Sequence, residues 1–256
     1  MVWPLTESQL RETILAESYA ATEHEASHGA LQHHFENMEQ QRAASALGMW
    51  VFLVTEIMFF GGMFLAYTLY RRQYPEAFAL ASNHLDIWLG GINTGVLIFS
   101  SFTMAMAVYC TQVGKRQLQL VFLALTLVFG LTFLGIKAVE YHDKYVHNLI
   151  PGTLIPGHPF SPNREELHIP NRVPNGNIGL FFWIYFAMTG MHALHMIIGV
   201  GVLLVILYFS MKGRYGPEYY NPVEIFGLYW HFVDIMWIFL FPLLYLLGRH
   251  LEGHLG

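Results

Sequence analysis

The chain has 256 residues, 54% of them hydrophobic and only 12% charged, about half the charged fraction of ordinary soluble domains. Thirteen basic residues against 18 acidic ones leave a net charge of −5, without the basic stripe that tracks nucleic acid. A single cysteine, Cys110, excludes an internal disulfide framework, a thiolate metal cluster and haem attachment through paired cysteines.

Residues 1–45 are polar and hold no apolar span, and no basic-then-apolar start marks a cleavable signal peptide. His24 and His28, followed by His33 and His34, read as a solvated tail rather than a metal site. Five segments are then long enough to cross a hydrocarbon core, which takes about 20 apolar residues. They lie near 46–70, 86–111, 118–141, 178–210 and 223–248. Without water to satisfy backbone groups each must be a helix. The expected fold is therefore an all-α membrane protein, an antiparallel bundle of five transmembrane helices.

Local signals set the boundaries. Asn83 followed by Asp86 reads as a helix start. Asn221-Pro-Val-Glu224 reads as N-cap, first-turn proline and capping-box acid. Lys115 and Arg116 fill a short turn. Segment 142–177, with PGTLIPGHPFSP and NRVPN, lacks a helical period and reads as a long loop outside the membrane, and residues 249–256 form a C-terminal tail. An odd number of spans puts the termini on opposite sides. Arg11, Arg42, Lys115, Arg116, Lys212 and Arg214 share one side, and Arg71, Arg72, Lys144, Arg164, Arg172 and Arg249 the other. The count is even, but Arg164 and Arg172 belong to a long loop where charge weighs less, which tips the N-terminus toward the cytoplasm.

Ionisable side chains inside spans carry the chemical information, because each costs about 2.5–3.5 kcal/mol on insertion scales. Glu56 stands in WVFLVTEIMFFGGMFLAY (50–67), just before Gly61-Gly62, which would let another helix approach closely. It is either a structural acid bonded to a neighbour or a functional acid bordering a water- or lipid-lined cleft. His192 and His195 are three apart on the fourth span, and His231 and Asp234 three apart on the fifth. Each pair can occupy one helix face, where a carboxylate can fix an imidazole's tautomer or pair with its cation; the use expected of them is bonding neighbouring helices together, ahead of a metal or haem site. Counting about 1.5 Å per residue from the span ends puts Glu56, His195, His231 and Asp234 roughly 12–21 Å deep, in one depth band. Lys137 and Glu140 read as a snorkelling pair near the interface. Glu224 is a cap residue first. Trp88, Trp183, Trp230 and Trp237 suit helix interfaces and membrane belts.

Five motifs occur in order: GMWVFLVTEIMFFGGMFLAY (48–67), NTGVLIFSS (93–101), GLTFLGIKAVEY (130–141), FAMTGMHALHMIIGV (186–200) and EIFGLYWHFVDIMWIFLFPLLY (224–245). Together they resemble subunit III of the haem–copper cytochrome oxidases across residues 46–248. The resemblance implies a non-catalytic subunit of a proton-pumping terminal oxidase, which reduces oxygen to water with electrons from cytochrome c or quinol. It implies no catalytic residue, metal or cofactor in this chain, haem and copper in partner subunits, and bound phospholipid. Subunit I is the implied partner, with other oxidase subunits and a respiratory supercomplex beyond it. Glu56 matches the family's intramembrane glutamate, while His192, His195, Glu224, His231 and Asp234 match polar positions of the last two helices. Lys212 and Arg214 are candidate lipid-headgroup contacts. The setting is an energy-transducing membrane, the bacterial inner membrane, with the N-terminus cytoplasmic. Longer members carry two further helices before the glutamate helix, and that pair is expected to be absent here. A small proton-coupled transporter or channel using Glu56 is the alternative from another class, although no inverted repeat or broken helix supports it.

Overall fold

A computed structural model describes residues 35, 37–147, 149–150 and 173–246. The bulk of the 142–177 loop, the tail histidines His24, His28, His33 and His34, and residues 249–256 lie outside that set. The elements are α1 (Met38–Gln73), α2 (Pro75–Asn83), α3 (Ile87–Gln112), α4 (Arg116–Val146), α5 (Asn175–Met211) and α6 (Asn221–Phe241), closed by a π-helical turn, Pro242–Leu246. Five helices are long and apolar enough to cross a membrane, the fifth formed by α6 with its π-turn, and no strand occurs among the described residues.

The chain divides into two compact units, 1–50 and 51–256. In the first, Asn37 Oδ1 accepts from the Gln40 amide (2.8 Å) and starts α1, and Ser45 Oγ donates to the Gln41 carbonyl. The second unit holds everything that follows.

Several boundaries differ from those read in the sequence. Residues 38–45 are helical rather than an extension before the span, and α4 runs on to Val146. Helix α2 was not anticipated: Pro75 opens it at a position where a missing N–H costs nothing. Asp86, not Asn83, caps α3, accepting from the amides of Trp88 (2.8 Å) and Leu89 (3.3 Å). Asn83 instead ends α2. Tyr220 occupies the N-cap of α6 without a side-chain bond, so Asn221 is already helical.

Lipid is as apolar as leucine, so helices in a membrane associate through close packing and hydrogen bonds. Trp230 on α6 shows both. Its indole fills the space above Gly130 of α4 and Gly199 of α5, where an added Cβ would fall 3.0 Å from the ring in each case. Its Nε1 donates to Ser100 Oγ of α3 (3.0 Å). One side chain thus joins four helices. Two turns further along, Trp237 Nε1 donates to Thr94 Oγ1 (3.1 Å), and its ring meets Phe133 edge-on with centroids 4.9 Å apart. Trp88, 82% exposed, and Trp183 face outward, where the lipid interface favours them.

Helix α1 meets this bundle along one narrow stripe. Leu53, Phe60 and Tyr67 are buried on it and Glu56 half-buried, while Val51, Val54, Ile57, Met58 and Phe59 look outward. Tyr67 Oη donates to the Leu243 carbonyl in the π-turn (2.7 Å). Gly61 and Gly62 lie off the stripe, and an added Cβ at either meets nothing within 4 Å. Among the described residues they therefore serve no close approach.

Candidate functional site

The α1 stripe brings Glu56 to His195 of α5. Glu56 Oε2 lies 3.1 Å from His195 Nε2, with 19% of the carboxylate side chain and 11% of the imidazole exposed. His195 Nδ1 lies 2.8 Å from the Met191 carbonyl, which can only accept, so Nδ1 carries a hydrogen. That leaves Nε2 and the carboxyl one proton between them. Either a neutral acid donates to the imidazole or an imidazolium donates to the carboxylate, and both forms have zero net charge. Phe60 packs on the imidazole at 5.4 Å, and Tyr229 Oη donates to the His195 carbonyl (2.9 Å). The site is a proton-sharing pair at the edge of the bundle.

The other candidates are distributed differently. His192 does not join His195. Its Nε2 donates to the Val233 carbonyl of α6 (3.0 Å), and its ring packs between Phe133 and Trp237, fully buried. His231 does not join Asp234: its Nδ1 shares a hydrogen with Ser101 Oγ of α3 at 2.7 Å. Asp234 is buried beside Ser101. Glu224 is half-buried in the first turn of α6, where the positive end of the helix favours an acid. At the end of α5 the Lys212 ammonium sits over the Tyr208 ring at 4.6 Å. The Arg214 guanidinium sits over Phe209 at 5.1 Å. Among the described residues no three His, Cys, Asp or Glu side chains converge in a metal-binding group.

A second polar centre escaped the sequence reading. Lys137 and Glu140 of α4 are 3% and 2% exposed and do not snorkel. Lys137 Nζ donates to Glu140 Oε2 (2.9 Å), Tyr185 Oη (3.2 Å) and Tyr245 Oη (3.1 Å), which uses all three of its hydrogens. Both phenols donate in turn to Glu140 Oε1. The ring of Trp237 lies 4.9 Å below the ammonium, a cation–π contact strengthened by exclusion of water. The reason for the difference is depth. Because α4 continues to Val146, Lys137 lies roughly 14 Å from its end at 1.5 Å per residue, too deep for its head to reach water. Its partners come from α5 and from the π-turn, far away in the chain. The i, i+3 spacing of Lys137 and Glu140 beside AVEY was the only local signal.

The family model for cytochrome c oxidase subunit III matches residues 174–249, which carry α5, α6 and the π-turn. A protein of Staphylococcus epidermidis named "Probable quinol oxidase subunit 3" is 28% identical over 211 residues, covering 81% of this chain and 90% of its own length. One of the same name from Staphylococcus aureus is 27% identical over 209 residues, with the same coverage of both. The chain is similar to subunit III of the haem–copper oxidases. Its five long apolar helices make it a multi-pass membrane protein. Both partners of the Glu56–His195 pair stand in the motifs that carry the resemblance, TEIMFF and MHALH.

Proposed function

We propose that this subunit III belongs to a proton-pumping quinol oxidase of a bacterial inner membrane and takes no direct part in the oxygen chemistry. Quinol as electron donor rests on the names of the two relatives. Haem and copper reside in the partner subunits, and this chain binds neither. Its role is to stabilise the catalytic subunit, to bind phospholipid and to support proton uptake. The observation that carries the proton-uptake reading is the half-open Glu56–His195 pair, which holds one exchangeable proton inside a membrane span. Lys212 and Arg214, set over aromatic rings at the end of α5, are the cations of this reading that meet lipid phosphate. The N-terminus is cytoplasmic, on the side of Lys115, Arg116, Lys212 and Arg214. The similarity to oxidase subunit III favours this reading over a free-standing transporter.

The test is purification from the native membrane through a tag on this chain. A haem-containing subunit co-purifying with it, and oxygen uptake driven by quinol, is the expected result. A preparation without haem, or one that oxidises cytochrome c and ignores quinol, overturns the corresponding part.

A further inference from the structure

Helices α3 and α6 run antiparallel and exchange hydrogen bonds along their seam. Thr94 pairs with Trp237, Ser100 with Trp230, and Ser101 with His231. The same register sets Leu97 opposite Asp234. Leu97 is fully buried and offers no polar atom. Asp234 is 1% exposed and lies beside the Ser101 hydroxyl, and among the described residues neither of its carboxyl oxygens meets a protein donor in hydrogen-bond geometry. The adjacent Ser101 hydroxyl is engaged by His231. One turn back on α3 from Leu97, Asn93 is fully buried, and among the described residues neither its amide nitrogen nor its oxygen has a hydrogen-bond partner. The other polar centres cannot serve these groups, because Glu56 is bound to His195 and every hydrogen of Lys137 is used.

Buried polar groups are almost always bonded to protein or to ordered water, and an internal water makes about three such bonds. We propose that the α3–α6 seam binds internal water at Asp234. With Ser101 and the half-buried His231 this water forms a hydrogen-bonded file, separate from the Glu56–His195 pair. The ligand is water. Asp234 and Ser101 supply its polar partners, His231 connects the file outward, and Asn93 extends it along α3.

The test uses the intact oxidase complex in lipid nanodiscs. The infrared difference between the parent and Asp234→Leu should contain a hydroxyl-stretch band that shifts in oxygen-18 water. Leucine removes the unpartnered carboxyl and repeats the apolar character of Leu97. Ser101→Ala, which keeps Asp234, should move that band without abolishing it. A high-resolution map of the complex should place ordered density within hydrogen-bond distance of an Asp234 oxygen. If no oxygen-18-sensitive band is lost in Asp234→Leu, the proposal fails. It fails equally if the map shows the carboxyl bonded directly to a protein group.

Discussion

Glu56 and His195 meet through atoms 3.1 Å apart, and the Met191 carbonyl, by fixing the hydrogen on His195 Nδ1, leaves them a single proton to share. The pair therefore stays uncharged overall whichever partner holds the proton, which is how an acid and a base can both sit in a membrane span without a net buried charge.

Glu56→Gln keeps a neutral hydrogen bond to the imidazole but cannot take up or release the proton. The complex should assemble normally and retain its initial rate, while the number of turnovers before inactivation falls. Recordings of sustained oxygen consumption check this. Indistinguishable traces from variant and parent would reduce the acid to a helix fastener.

The charge pair on α4 predicts an asymmetry between single and double substitutions. Lys137→Met strands the Glu140 carboxylate and should destabilise the subunit by about 3–5 kcal/mol, the usual result of removing one partner of a buried pair. Lys137→Met combined with Glu140→Gln should recover a good part of that loss, because the two sites are coupled. Thermal melting of the purified complex, read on this subunit, measures both. Equal losses in the single and double variants would show that the ion pair is not the source.

Trp230 leaves no room at two glycines. Gly199→Ala should cost about 1–3 kcal/mol, typical of overpacking, since the indole is held by Ser100 and backed by Gly130. Combining it with Trp230→Phe should return part of the loss. Retention of this subunit during detergent challenge is a suitable measure, and unchanged retention in Gly199→Ala would count against the packing argument.

Asp86→Ala removes the carboxylate oxygen that accepts from two amides at the start of α3. A lost N-cap costs about 1 kcal/mol. The effect should be local: faster amide hydrogen exchange at Trp88 and Leu89, with exchange in the middle of α3 unchanged.

How far the sequence disclosed this arrangement depended on whether the signal was local. The spans were visible because hydrocarbon thickness imposes a length, and Glu56 was visible because an acid is rare in such a run. Its partner was visible only as one half of a histidine couplet. Helical spacing put His192 and His195 on one broad face, yet the ring of one turns to α1 and the other to α6, a choice made by the neighbouring helices. The same holds for His231 and Asp234, whose i, i+3 spacing suggested a contact that Ser101 of α3 takes instead. Lys137 was misjudged because its depth was measured from a span end at 141, five residues short of the helix end, and because the phenols that hold it lie at 185 and 245. The shifts of the α3 and α6 caps were smaller: 83–86 offered two polar residues able to start α3, and the N-cap of α6 falls one residue early, at Tyr220, without a side-chain bond.

The π-turn at Pro242–Leu246 links the buried charge pair of α4 to helix α1 in a way that composition does not reveal. A π-turn is an α-helix with one residue too many, and one residue is about 100° of helical rotation. Tyr245 reaches Glu140 because of that added rotation, while the Leu243 carbonyl in the same turn receives Tyr67 from α1. Deleting a single residue between 242 and 246 would leave every nearby side-chain type in place and yet swing the phenol off the carboxylate. Insertions and deletions here should therefore be tolerated far less than substitutions, since what this segment encodes is an angle.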